Sequence, residues 1–418
     1  MKYRTMGLMS LAGAGTAIAA AAIVSAQVSG PVARYEMRAG TTSGMGAMRG
    51  GIGAMMGMAM GGRPAAQHEL WLDLGSNLAA TGAPKADHFM PAGARLGVSV
   101  PLATPVKAGP AEMPSEMREF QRPKGRMLIF WGCGEHAPAG QPVVIDFAKI
   151  AAGKMPPGLW SSAVPTDRFI SPASSKTYAT WPNSVGKMAV KPESSLIGAH
   201  RVAATYSPEM KFALTKDFMG ALNLSSSAML SGATMLRWNR LPDATGHHAS
   251  LFGGKQGPGG SMGDIVWWSS SQTREFGGGL TDWLSPATAA RLVTNRTLLA
   301  PATTTCAVPA EVKAAAPQFQ MATLYAYGPQ EDFAFPPRPA NLKTPWKLEW
   351  SARIRHRSTT STVLGMPGMP GMDDDEGGQS GRRQSSDCQP KPKKRGLGGL
   401  GGLLGGALGV PSSSEDGC

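Results

Sequence analysis

The sequence predicts a mostly β protein, with two β-sandwich modules set between a glycine- and methionine-rich leader and a glycine-rich tail. Three observations lead there. The 418 residues include 54 glycines and 34 prolines but only 17% charged residues, so the chain is heavily punctuated by turns. Between the turns, apolar residues alternate with polar ones over runs of four to eight, which is the period of a half-buried strand and not of a helix. A helix start is well marked at one place only, where Ser285 stands before Pro286 at the first helical position and opens a helix through about Asn295.

The N-terminus carries a targeting signal. Lys2 and Arg4 form a short basic region, Gly7 to Ile23 an alanine-rich apolar run, and Val24-Ser25-Ala26 a small-residue cleavage site. Residues 1–26 are therefore expected to be a cleaved signal peptide of the bacterial export type, not a retained anchor. No cysteine follows the site, which argues against a lipoprotein. The mature chain is expected in the periplasm, the outer envelope or the medium.

Residues 27–65 read as a flexible leader, because its second half, TTSGMGAMRGGIGAMMGMAMGG, is too glycine-rich to offset the ordering entropy of a packed element. A first β module is expected over 66–150. HELWLDLGS and ARLGVSVPL alternate, and RMLIFWG and QPVVIDF flank the turn at Cys133, with Met127 to Trp131 apolar on both faces as in a central strand. Residues 151–175, rich in proline and serine, read as a linker.

The second module is expected over 176–364. TYATW, GAHRVAATYS and KFALTKDF open it as strands. MLRWNR follows, with Leu236 and Trp238 on one face, then a turn through Pro242, Asp243 and Gly246 into HHASLFGG, and then DIVWWSSS as a core strand. This strand, proline turn, strand pattern with an inward tryptophan resembles the early strands of fibronectin type III and related immunoglobulin-like sandwiches over about 40 residues. The resemblance implies a fold and no chemistry. QMATLYAYG and WKLEWSARIRHR close the module, the latter with Trp346, Leu348, Trp350, Ala352 and Ile354 on one face. Residues 365–418 form biased blocks and read as a disordered tail with a Gly/Leu-rich patch that could support self-association.

Four cysteines in an oxidising compartment allow three pairings. Cys133 and Cys306 lie in the folded part and Cys388 and Cys418 in the tail, so 133 with 306 and 388 with 418 are the expected bridges, with a tail cysteine joining two chains as the competing arrangement. Chemistry is sparse. Gly259 to Gly263 matches GxSxG at Ser261, but a glycine/proline loop precedes it and a strand follows, the reverse of a nucleophile elbow. No phosphate loop, dinucleotide fingerprint, EF-hand or HExxH is present, which weighs against the common cofactor enzymes. Met45, Met48, Met55, Met56, Met58 and Met60 could present soft thioethers to Cu(I), although no histidine is interleaved with them.

The charge balance is +13, from 41 basic and 28 acidic residues. In an exported protein this favours anionic polysaccharide, lipopolysaccharide or lipid head groups over nucleic acid. Arg353, Arg355 and Arg357, at successive i, i+2 positions on the last strand, are the expected polyanion contact. The sequence thus predicts a non-catalytic envelope or secreted protein that acts by binding or structural association. A periplasmic copper-binding protein and a hydrolase with an unrecognised site are the alternatives.

Overall fold

The computed structural model of the chain describes residues 30–47, 65–105, 125–154, 164, 170–183, 188–256, 262–275, 278–341 and 344–364. The expected signal peptide, most of the methionines, Ser261, the pairing of Cys388 with Cys418 and the tail lie outside these residues. Within them the protein is mostly β, with sixteen strands and three short helices.

A nine-stranded open sheet organises the chain. Its strands are β1 (Ala33–Gly44), β2 (Gln67–Ser76), β5 (Arg126–Trp131), β6 (Val143–Asp146), β7 (Thr177–Trp181), β12 (Gly246–Gln256), β13 (Met262–Ser269), β15 (Phe319–Phe335) and β16 (Trp350–Val363). They run in the order β6-β5-β13-β12-β15-β16-β1-β2-β7. The long β15–β16 pair is the spine, and β1 joins β16 in parallel register from Ala33 opposite Trp350 to Gly44 opposite Ser361. At the other end β5 joins β13 in parallel, Ile129 opposite Trp267.

Two smaller sheets complete the fold. One is β3 (Ala86–Phe89), β4 (Val100–Leu102), β8 (Gly198–Ala204) and β9 (Ser207–Leu214) in the order β4-β3-β8-β9; the other is β10 (Leu224–Ala228), β11 (Thr234–Trp238) and β14 (Thr305–Val308) in the order β10-β11-β14. Residues paired across the spine share a face, so Ile354 and Leu324 point the same way, and both cores lie on one side of the large sheet. The first core packs Tyr35, Met37, Leu72, Leu74 and Ile354 against Val202 and Met210 of the four-stranded sheet. The second packs Leu251, Val266, Trp268 and Leu324 against Leu236, Trp238 and Val308 of the three-stranded sheet. A third, small cluster on the opposite face sets Tyr327 against Leu280, Leu284 and Leu292.

The tryptophan-rich stretch forms the three strands its alternation predicts, β11, β12 and β13, with Val266 and Trp268 fully buried. The helix at Ser285 is also present: α2 (Pro286–Thr294), capped by the Ser285 side chain accepting from the Thr288 amide. Two further helices flank it in the sequence, α1 (Phe147–Ala151), capped by Asp146, and α3 (Ala310–Ala315).

One expectation needs correcting. Residues 33–44, assigned by sequence to the flexible leader, form β1, a strand flanked by neighbours on both sides. The reason is legible in hindsight: Ala33, Tyr35, Met37 and Ala39 alternate into the core, and the glycines that suggested flexibility begin only at Gly40.

Candidate functional site

A shallow concave surface lies on the four-stranded sheet. Phe89, Met90, Phe212 and Ala213 line a groove of about 500 Å³, with Arg201 and Lys211 beside them and His200 at the floor. The alternation of β8 and β9 places these groups. His200 and Val202 turn inward while Ala199 and Arg201 turn outward, and on β9 Phe212 turns inward between Lys211 and Ala213. The Arg201 guanidinium sits 3.6 Å from the centre of the Phe89 ring and donates to Glu209 at 3.0 Å, while Lys211 reaches the same carboxylate at 2.7 Å. Two cations share one anion, so the groove keeps a net positive edge beside the Phe89 ring. These two partners also hold the Glu209 carboxyl below its ordinary range, Lys211 first and Arg201 second.

Beneath the groove runs a buried hydrogen-bond chain. The Leu196 carbonyl can only accept, so His200 Nε2 carries the proton that it donates at 2.7 Å. Burial lowers the pKa of His200, leaving it neutral with Nδ1 as an acceptor. His88 Nε2 then donates to that nitrogen at 3.0 Å, and the Tyr35 hydroxyl donates to His88 Nδ1 at 2.6 Å. Desolvation, and after it the neighbouring His200, hold His88 well below the usual histidine range. Desolvation also raises the Tyr35 phenol, with Asp73 adding to the effect. The chain therefore has one direction and one tautomer at each ring. It links β1 of the large sheet to β3 and β8 of the small one.

The opposite face of the large sheet carries the expected arginines. Arg353, Arg355 and Arg357 do share one face, but the open stripe expected from their spacing is corrected by what covers it. The segment around Gly278–Leu284 lies over them: Arg355 Nη1 donates to the Trp283 carbonyl at 2.7 Å, and Arg357 Nη1 to the Thr281 carbonyl at 2.6 Å. Arg357 also lies 4.4 Å from the Trp283 ring and 5.3 Å from that of Tyr325. Arg355 is 5% exposed and donates to Gln330 at 2.7 Å. Burial lowers the pKa of both. Arg353 remains more open, between Glu36 at 3.5 Å and Asp332 at 3.7 Å. Glu36 is itself buried, and desolvation raises its carboxyl, opposed by the Ile170 amide and then by Arg353, Arg355 and Arg38. Beyond Glu36 the face continues through Arg38, Asp73 at 2.6 Å and the Tyr178 hydroxyl, whose pKa burial and then Asp73 push up to about 12.

The cysteines, the remaining histidines and the methionines are placed as follows. Cys133 and Cys306 form the expected disulfide, with Cα atoms 5.2 Å apart, joining the loop after β5 to β14. His136, beside Cys133, meets Glu311 at 3.1 Å, and Glu311 also accepts from the Ala137 amide at 2.9 Å. Adjacent in β12, His247 and His248 point to opposite faces. His247 lies near Trp238, and His248 stacks on Tyr325 and meets Ser269 Oγ at 3.0 Å. Both that histidine and Ser269 are 1% exposed, so the pair is enclosed in the sheet. Of the six leader methionines only Met45 is described, half-buried in the turn after β1. Among the described residues no group of three or more His, Cys, Asp and Glu is placed to hold a metal ion, and no helix is long and apolar enough to cross a membrane.

The sequence reading missed the groove. Its residues come from β3, β8 and β9, separated by up to about 120 positions, and each alone looks like an ordinary strand residue. No protein-family model matches the chain, and comparison with curated proteins and with solved structures gives no match either.

Proposed function

We propose that the protein is an exported, non-catalytic envelope or secreted protein that binds anionic envelope polymers along the groove on its four-stranded sheet. The observation that carries this reading is the Phe89 ring standing beside the cations Arg201 and Lys211 on the outer face of the sheet. Sugar rings offer C–H faces that pack on aromatic rings, and uronate or phosphate groups along the same chain meet the two cations. The +13 net charge adds a long-range attraction for such polymers. Export is supported by the N-terminal pattern ending at Ala26 and by the Cys133–Cys306 disulfide, which is the state favoured outside the cytoplasm. In this reading residues 1–26 are removed and the sheets pack as sandwich-type layers. Arg353, the most open of the three arginines, is a secondary contact.

Titration calorimetry with polygalacturonate and with lipopolysaccharide tests it. Binding is expected to weaken steeply between low and physiological salt. The double change Arg201→Ser, Lys211→Ser removes two partly exposed contacts of about 0.5 to 1 kcal/mol each, so affinity is expected to fall roughly 5- to 30-fold. A double variant that binds as the parent does would remove the groove from consideration. Loss on Arg353→Ser alone would move the site to the opposite face.

A further inference from the structure

Five of the six sheet edges in the described residues carry a recognisable guard against pairing with another chain. On β9 the guards are Pro208, Glu209 and Lys211. On β14 the Gly134 amide donates to the Ala307 carbonyl at 3.0 Å, beside the Cys133–Cys306 bridge. On β7 Thr180 exchanges two hydrogen bonds with Ala103, at 3.1 and 2.9 Å. On β4 there are three residues with Pro101 at the centre, which has no amide hydrogen to offer. On β6 there are four, ending at Asp146, which turns the chain into α1. The sixth edge is β10, Leu224-Ser225-Ser226-Ser227-Ala228, with no charge, no proline and no partner strand on its outer side among the described residues.

Its backbone is set for pairing. The hairpin to β11 closes with the Met229 amide on the Ala233 carbonyl at 2.9 Å and the Gly232 amide on the Met229 carbonyl at 2.9 Å, with Gly232 at φ +86°. This is the three-residue loop with a left-handed glycine, and it makes Met229 and Ala233 a hydrogen-bonded pair. Pairs alternate along an antiparallel ladder, so Ser227 and Ser225 direct their amides and carbonyls to β11, and Leu224, Ser226 and Ala228 direct theirs outward.

We infer that β10 is a self-association edge, where a second copy of this chain adds its own β10 antiparallel to form a six-stranded sheet across a twofold axis at Ser226. The segment is its own complement. With Ser226 opposite Ser226, Leu224 meets Ala228, Ser225 meets Ser227, and all three outward-facing residues of each strand find hydrogen-bonding partners. A charged edge would oppose its own copy across the axis, and β10 has none. The nearest charge, Arg237 on β11, donates to Ser227 Oγ at 2.8 Å, so its guanidinium lies beside the edge and adds a repulsion between copies that salt screens. Leu230, the most exposed large apolar side chain among the described residues, sits in the turn beside this edge. A five-residue edge buries little area, so the dimer is weak, with a dissociation constant in the micromolar range or above. This edge is distinct from the groove, and from the self-association expected of the glycine-rich tail.

Two measurements on the full chain decide it, both in a parent with Cys388→Ser and Cys418→Ser so that only the native bridge remains. Sedimentation velocity over a concentration series should show a monomer–dimer equilibrium that Ser226→Lys weakens at least about tenfold, since two like charges then face each other across the axis. Ser225→Cys and Ser227→Cys proteins should cross-link under mild oxidation when mixed, where the two residues lie opposite each other, and much less when each is oxidised alone. A parent that stays monomeric, a dimer indifferent to Ser226→Lys, or equal cross-linking of the separate and mixed proteins would overturn the inference. Circular dichroism confirms that each variant remains folded.

Discussion

The two small sheets cover the same face of the large one, yet they are fastened by different chemistry. The three-stranded sheet is held by an apolar core around Trp238 and Trp268 and by a covalent bond, Cys306 of β14 to Cys133 after β5. The four-stranded sheet has an apolar core as well, but through it runs the Tyr35–His88–His200 chain. A covalent link is indifferent to pH and sensitive to reductant. A chain of neutral histidines is the reverse. Reduction should therefore act on the three-stranded half alone, while the histidine chain makes the four-stranded half sensitive to acid.

The largest expected effect is loss of the bridge. Cys133 and Cys306 are separated by 173 residues, so replacing both with serine frees a long loop in the unfolded chain and is expected to cost about 3 to 5 kcal/mol in the chain-entropy description. Urea denaturation of the double variant against the parent measures it. Limited proteolysis should place the first new cleavages around β14 and the turn at Cys133. A shift below about 1 kcal/mol would mean that apolar packing alone holds this sheet.

Next comes His88→Leu, which breaks the chain at its centre. It leaves the Tyr35 hydroxyl and His200 Nδ1 buried without partners, and each lost partner costs about 1 to 2 kcal/mol, for a total of roughly 2 to 4. The double variant Tyr35→Phe, His88→Leu removes one of the orphans and should be less destabilised than the two single changes predict together. Additivity within a few tenths of a kcal/mol would show that the three groups do not act as a unit.

Acid sharpens the comparison without a mutation. Of the seven histidines, six have pKa values lowered by burial: His68, His88, His200, His247, His248 and His356, the last two to about 4. In the unfolded chain each takes up a proton near pH 6.5. Between that pH and the lower folded values the unfolded state binds more protons, so this stability is fully present above about 6.5 and is lost as pH falls toward 4. Each fully buried group adds a slope of up to about 1.4 kcal/mol per pH unit, and the half-exposed His68 adds less. Thermal melts from pH 7.5 to 4.5 check this, and His88→Leu should flatten the curve by its share. A melting temperature independent of pH across that window would contradict neutral burial.

The local elements were largely visible in the sequence, and the long-range ones were not. β11, β12 and β13 followed from alternation around Trp238 and Trp268, and α2 followed from Ser285 and Pro286, because these signals act within a few residues. The disulfide followed from counting cysteines against the span expected to fold. What sequence could not give was pairing between distant segments. Met127 to Trp131 read correctly as an inner strand, but nothing in RMLIFW says that its neighbour is Ile265 to Ser269, and nothing in ARYEMR says that it lies parallel to the last strand. The arginine face fails for the same reason. Its spacing was local and correct, whereas its cover, Thr281 to Trp283, comes from about 70 residues earlier.

That cover makes the smallest expected effect informative. Arg353→Ser removes two ion pairs of 3.5 and 3.7 Å from a side chain that is 39% exposed, and solvent screening limits the loss to about 0.5 to 1 kcal/mol. Glu36 keeps its Ile170 amide and the fields of Arg355 and Arg38, so its carboxyl should rise only somewhat further. Extending the change to Arg355 and Arg357 is a different matter, since the carbonyls of Thr281, Asp282 and Trp283 then lose their donors and Trp283 loses a cation on its ring. The triple Ser variant is accordingly expected to unfold at clearly lower denaturant than Arg353→Ser, by more than the sum expected for exposed charges. Equal midpoints for the single and triple variants would show that the cover does not depend on the arginines, and would restore them as an open surface for polyanions.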